Sequence, residues 1–427
     1  MLLRFGIANF FSIKDYCELS LVAAPAIKDE TRHLKPVLGD KIQVLPSVLL
    51  YGANASGKTT VVSAIRALRL HVLESASGRR PQEKVGSAEF LLSPNMNQVP
   101  TRFDCDFIID GVRYHYGFEF TDERYEREWL FSYPEGLPRQ LYLREADEDI
   151  KFGRSLRGPN KLIEKILRKN ALFLSTAAQG SHPVLTRIYE FFEENFRFVS
   201  SSCDPANIHA RLPREGSIDQ RIIEFLRLAD TGIHDSIIEN RSIDDESRAM
   251  SQRIAEALSD IFPPEARAAL ELDEHRELKL GHVAKDIDSL VYLSLASESR
   301  GTIRLIELLT DALYIIDHGG VLVVDELDAS LHTVLAKEFI RLFNSRSTNT
   351  AHQLIATTHD TNLLDVDELR RDQIWFVTKS VWGETTLVPL SDIRTRKGEN
   401  LERAYLLGRF GALPTPPLAA MDLDEGV

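Results

Sequence analysis

The segment PSVLLYGANASGKTTVVSAIRALRLHV, residues 46–72, decides how this chain is read. A short apolar run, Val48 to Tyr51, has the length of a buried strand, and from Lys58 onward the apolar residues recur at helical spacing. Between them, Gly52-Ala53-Asn54-Ala55-Ser56-Gly57-Lys58-Thr59 fits the pattern G-x-x-x-x-G-K-[ST]. Glycines let backbone N–H groups curl around phosphate oxygens, and the start of the helix adds the positive end of its dipole. Lys58 is placed to reach the β- and γ-phosphates, and Thr59 to offer its hydroxyl to Mg²⁺. Gly52, Asn54, Ala55, Ser56, Gly57, Lys58, Thr59 and Thr60 are therefore candidate nucleotide-binding residues. Small side chains at 53, 55 and 56 leave room for close approach.

Strand, glycine-rich loop and helix open a P-loop NTPase core, and the later chain supplies what such a core needs. VLVVDELDASLH (321–332) is a buried strand ending in Asp325-Glu326. Asp325 would hold Mg²⁺ through water, and Glu326 would act as general base on the attacking water. Taken alone, the same residues could be a helix start with acids in its first turn. HQLIATTHDTNLL (352–364) gives another apolar strand followed by His359. At that place a histidine can donate to the γ-phosphate and hold the attacking water. A lone histidine would otherwise be a core or capping residue.

The bulk properties limit the alternatives. With 427 residues, 43% hydrophobic and 27% charged, the chain has the composition of a soluble protein of two or three domains. No apolar run reaches the length of a membrane span, and MLLRFGIANFFSIKDY reads as a first strand and not as a secretory signal. Cys17, Cys105 and Cys203 are odd in number and far apart, which fits a reducing cytoplasm and no zinc cluster. A net charge of −13 argues against strong non-specific nucleic-acid binding. The most basic stretch, residues 153–170, reads as the solvated face of a helix.

Along the chain, residues 88–145 alternate apolar and polar around Asp110-Gly111 and again around Pro134–Pro138, which predicts an antiparallel meander. Helices are expected at 160–169, 183–195, 216–229 and 245–261, with strand-like pieces at 171–175, 196–200 and about 270–281. Residues 201–216 read as a linker. Helix–strand alternation returns from about 299 to 390, as in a parallel sheet. The tail after 411 is Pro-rich and then acidic, a composition that favours disorder.

Taken as a set, LLYGANASGKTTVV, ESRGTIRLIEL, VLVVDELDASLH, IATTHDTNLLD and LERAYLLGRFGALP resemble the ABC-like AAA-type ATPases of the bacterial abortive-infection, RloA-like group. More distantly they are similar to the overcoming-lysogenization-defect ATPases and to SMC heads. The resemblance implies an α/β fold, an ABC-type P-loop head with an antiparallel β-meander subdomain and a helical insertion. The implied domains are lobe I at 1–200, a mainly helical insertion at 201–285, lobe II at 286–414, and a disordered tail at 415–427. It also implies that Ser299, Gly301 and Thr302, at a helix mouth, face the γ-phosphate held by a second copy, with Asp328 at the dimer axis. An N-cap explains the same hydroxyls locally. SRGT departs from the SGGQ of transporters, and the glutamine that would contact Mg²⁺ is not obvious, Gln179 being the candidate.

The expected function is ATP-dependent dimerisation and Mg²⁺-dependent ATP hydrolysis controlling a nuclease-like effector encoded nearby, in antiphage defence. The alternative is a DNA-repair or SMC-like ATPase that clamps nucleic acid. The acidic balance and the lack of a long coiled coil weigh against it. A nuclease would need a further acidic or His-Asn-His cluster, and none is seen. GTP specificity would call for an Asn-Lys-x-Asp segment, which the sequence lacks.

Overall fold

The computed structural model describes residues 1–27, 34–37, 42–200, 208, 212–213, 216–242, 274–285, 287–329, 331–345, 350–364, 369–395 and 400–411. They divide into two compact units, Met1–Ser201 with Leu313–Val427, and Ser202–Ala312. Among the described residues no helix is long and apolar enough to cross a membrane.

The first unit opens with β1 (Leu2–Ala8) and β2 (Cys17–Ser20), then the short pair β3 (Lys35–Val37) and β4 (Ile42–Val44). β5 (Ser47–Tyr51) is buried along its whole length and leads into α1 (Lys58–Glu74). The meander follows as β6 (Thr101–Ile109), β7 (Val112–Phe120), β8 (Tyr125–Tyr133), β9 (Arg139–Glu145) and β10 (Lys151–Phe152). Asp110 and Gly111 have φ of +49° and +75°, the left-handed pair that a two-residue hairpin turn requires. Next come α2 (Asn160–Ile166), α3 (Phe173–Gln179), α4 (Leu185–Glu194) and β11 (Phe196–Val199).

The piece expected as a strand at 171–175 is in fact the start of α3, and the reason is tertiary. Glu128 of β8 is fully buried. Its carboxylate accepts from the Phe173 and Leu174 N–H groups at 2.6 and 3.0 Å, and from the Tyr116 and Tyr142 hydroxyls at 3.1 and 2.8 Å. A helix start capped by another strand's carboxylate overrides local propensity. Glu128→Ala leaves these buried donors without their acceptor and is expected to cost about 3 kcal/mol of stability. The urea midpoint reports it; an unchanged midpoint would show that α3 needs no cap from the sheet.

In the second unit, α5 (Gln220–Leu228) starts at Asp219, whose side chain accepts from the Arg221 N–H at 2.9 Å. β12 (Ile233–Ser242), β13 (Glu274–His282) and β14 (Val291–Ser294) form an antiparallel three-stranded sheet. α6 (Arg300–His318) begins in this unit. Residues 201–285 were expected to be mainly helical; those described include the nine-residue helix α5 and the strands β12 and β13, of ten and nine residues. The helix expected at 245–261, most of the 201–216 linker and the 415–427 tail lie outside the described residues.

The chain then adds β15 (Gly320–Val324), α7 (Thr333–Asn344), β16 (His352–Thr358), β17 (Ile374–Lys379), β18 (Thr385–Pro389) and α8 (Leu401–Leu406) to the first unit. Among the described residues this unit has a seven-stranded sheet, β10-β9-β8-β7-β6-β1-β2, and a six-stranded one, β11-β15-β16-β5-β17-β18. The pairs in the second sheet are parallel except β17 with β18. Its inner strands β5, β15 and β16 are buried throughout, as strands covered on both faces must be. One core joins α1 and α4 to the meander, with Phe107 stacked on Phe191 at 4.6 Å. The sheet order sets the C-terminal ends of β15, β16 and β5 side by side, where ligands gather in open α/β sheets.

Candidate active site

The loop after β5 is a cradle. Gly57, the residue before α1, has φ +110°, a backbone open to glycine and strained for other residues. A Cβ there would lie 2.3 Å from Thr385 Oγ1. Ala55 is also left-handed, at φ +61°. Lys58 Nζ folds back over the loop and donates to the Gly52 and Ala53 carbonyls at 2.7 and 3.1 Å. Burial lowers its pKa to about 8, against the opposing pull of Asp325, Asp328 and Glu326. Ser56 Oγ is buried with no hydrogen-bond partner among the described residues. A curled loop, a buried cation, an orphaned hydroxyl and a helix N-terminus fit a phosphate chain.

Asp325, at the end of β15, is buried. Its Oδ1 accepts from Thr357 Oγ1 at 2.8 Å and from Thr59 Oγ1 at 3.4 Å. The same Thr357 hydroxyl accepts from the Glu326 N–H at 2.7 Å. Thr357 of β16 thus fixes both acids. The sequence placed it in the right strand but gave it no role; its position two residues before His359 is the signal that could have found it. Glu326 sits at φ +56°, a strained backbone for this residue type that re-aims the chain at the strand end. No group of three or more His, Cys, Asp or Glu side chains poised for a metal exists among the described residues. The Thr59 hydroxyl with the Asp325 carboxylate is the kind of sparse oxygen set that suits Mg²⁺, which keeps waters and takes substrate phosphates.

Asp328 accepts from the His359 N–H with both oxygens, at 3.1 and 3.2 Å. It thereby ties the segment after β15 to the segment after β16. Partial burial, and then the charge of Lys58, lower the His359 pKa below its ordinary value, so near neutral pH the ring carries one N–H donor. A cavity of about 550 Å³ is lined by residues 54–60 together with Glu326, His359, Phe11, Ser12 and Lys379, a volume typical of small-molecule sites. Ser12 Oγ bridges Thr60 Oγ1 at 3.1 Å and Thr385 Oγ1 at 2.8 Å. Phe11, Ser12 and Lys379 were not foreseen, because only the folded sheet order brings them here.

Gln179 and the helix mouth at Ser299–Thr302 are the other expected groups. Gln179 is exposed at the end of α3 and does not line the cavity. Ser75, which follows α1, holds α3 through the Leu172 N–H at 3.1 Å and Ser175 Oγ at 2.9 Å. The start of α3 is thus a helix length, about 25 Å, from the phosphate loop, and Gln179 follows at the helix's last residue. Ser299 caps α6 in the second unit: its Oγ accepts from the Thr302 N–H at 3.1 Å and lies 2.9 Å from Thr302 Oγ1. The N-cap reading is thus realised. A Cβ on Gly301 would meet only Ser299 Oγ, at 3.7 Å, so the described chain places no demand for glycine there.

No curated protein matches this sequence. Among solved structures, the chain is similar to the SMC head domain from Thermotoga maritima, at 15% identity and a TM-score of 0.39, covering 92% of this chain and 99% of that one. It is also similar to the Smc head domain with an extended coiled coil bound to the C-terminal domain of ScpA, derived from Pyrococcus furiosus. There the identity is 12% and the TM-score 0.40, covering 96% and 98%. Residues 47–365, from the strand before the phosphate loop to just past His359, match the family described as "AAA domain, putative AbiEii toxin, Type IV TA system", and the chain belongs to that family.

Proposed function

We propose that this protein binds Mg²⁺·ATP and hydrolyses it, that ATP brings two copies together over shared sites, and that this closure controls an effector protein in antiphage defence. The observation that carries the reading is the meeting of Lys58, Thr59, Glu326 and His359 at one cavity, with Asp325 behind Thr59 at 3.4 Å. Lys58 neutralises the triphosphate. Glu326 takes the proton of the attacking water, and His359 donates to the terminal phosphate. Bound at Thr59 and Asp325, Mg²⁺ would offset the charge developing on the phosphate oxygens. The family description supports the abortive-infection setting.

Dimer closure is supported by Gly301. Glycine in a first helical turn costs about 1 kcal/mol relative to alanine, and its neighbours in the described chain give no return for it. A phosphate approaching from a second copy would. Gly301→Asp tests this well, because an acid in the first turn favours the isolated helix while repelling an incoming phosphate. The variant is expected to bind ATP as a monomer with near wild-type affinity and to form no ATP-dependent dimer by light scattering. Dimers formed as in the wild type would sink the shared-site reading.

A further inference from the structure

The stretch LERAYLLGRFGALP stands far from the phosphate loop in the chain, yet its described residues, 401–411, pack against the strands that carry the site. α8 buries Leu401, Ala404 and Tyr405. Gly408, at φ +71°, ends the helix. Its N–H donates to the Tyr405 carbonyl at 2.8 Å, and the Arg409 N–H to the Ala404 carbonyl at 3.1 Å. This left-handed cap turns the chain back, and Phe410 stacks on Phe376 of β17 with ring centroids 4.8 Å apart. Tyr405 stacks on the same ring at 5.6 Å and meets Tyr51 edge-on at 6.3 Å. Tyr51 is fully buried and ends β5, directly before Gly52 of the phosphate loop.

The polar contact of α8 goes to the segment after β16. Glu402 Oε1 accepts from Thr361 Oγ1 at 2.9 Å, in the short turn Thr361–Leu363 that begins two residues past His359. Between them, the Asp360 carboxylate accepts from Thr333 Oγ1 of α7 at 2.5 Å and from the Asn362 N–H at 3.0 Å. Asp328 holds the His359 N–H. His359, Asp360 and Thr361 are thus each tied to a different part of the chain. The His359 ring lines the cavity, so whatever fixes its backbone also fixes its aim, and a donor must be aimed closely to act on a reacting group.

We infer that Glu402 is a positioning residue for His359, and that residues 400–411 form a clamp across β5, β17 and the turn after β16. The inference rests on the reading of His359 as the donor to the terminal phosphate and extends that reading to the C-terminal segment. α8 touches no nucleotide in this arrangement. It acts by holding the histidine's segment against the strand that leads into the phosphate loop.

Turnover and calorimetry with a non-hydrolysable ATP analogue, both on the full chain with Mg²⁺, test this. Glu402→Ala is expected to lower kcat about tenfold and leave KM and analogue affinity unchanged. Glu402→Gln, whose amide oxygen still accepts from Thr361, is expected to restore kcat. In a His359→Ala background, followed by single-turnover phosphate release, Glu402→Ala is expected to cost nothing further, because the group it aims is gone. Hydrogen exchange of the ligand-free chain is expected to quicken in the peptide spanning residues 357–364. Wild-type kcat in Glu402→Ala, or unchanged exchange there, overturns the inference. So does a loss that persists in the His359→Ala background or that appears equally in analogue affinity, since either makes the bond ordinary packing. If His359→Ala turns over as fast as the wild type, the reading of His359 fails and the inference falls with it; if the wild type binds no analogue, the phosphate site fails first.

Discussion

Lys58→Ala is expected to weaken Mg²⁺·ATP binding by about a thousandfold. Lys58 is the buried cation of the phosphate loop, held to the Gly52 and Ala53 carbonyls. Charge-assisted contacts in such a site are worth about 1.5–3 kcal/mol each. Losing two of them is about 4 kcal/mol, or three decades in Kd. The pH dependence gives an independent check. Burial holds the Lys58 pKa to about 8 in the ligand-free chain, and a bound polyphosphate must raise it. Below pH 8 the ammonium is already charged, and affinity is flat. Above pH 8 a proton must be taken up with the ligand, so affinity falls, by up to about tenfold per pH unit. Lys58→Ala should remove both the affinity and this slope. Titration of wild type and variant between pH 7 and 9.5 measures both. Tight binding by the variant would place the triphosphate elsewhere.

What the sequence revealed was what local pattern encodes. The unbroken apolar run of β5, the turn chemistry at Asp110-Gly111 and the acid pair after β15 each carry their meaning within a dozen residues. The groups it missed act across long stretches of chain. α3 was misread because its N-terminus is capped by Glu128, some 45 residues earlier. Phe11 and Ser12 reach the cavity through bonds to Ala88 and Thr385, partners no local period could nominate. β12 escaped because Ile237-Ile238 breaks alternation, and only its pairing with β13 defines it. Gln179 was chosen by its place in the chain order, and the start of its helix packs on Ser75, just past α1. Asp328 shows the opposite case: chain order brought it to the right neighbourhood, and its bond to His359 N–H gives it a physical task.

The acids after β15 make the sharpest division of labour. Asp325 is engaged by two hydroxyls, Thr357 and Thr59, and is buried, so it is built to hold position and charge. Glu326 lines the cavity on a backbone forced to φ +56° and pinned by Thr357, so it is built to aim a carboxylate. Glu326→Gln preserves the shape and the backbone bond but cannot accept a proton. It also removes a negative charge from the cavity that the proposed triphosphate would occupy. The variant is therefore expected to bind Mg²⁺·ATP at least as tightly as the wild type, while turnover falls about a thousandfold. With hydrolysis stopped, the ATP-bound dimer should persist long enough to be weighed by light scattering. Single-turnover phosphate release measures the chemical step directly. A rate within a few-fold of the wild type would strip Glu326 of the base role and leave its strained backbone without a catalytic purpose.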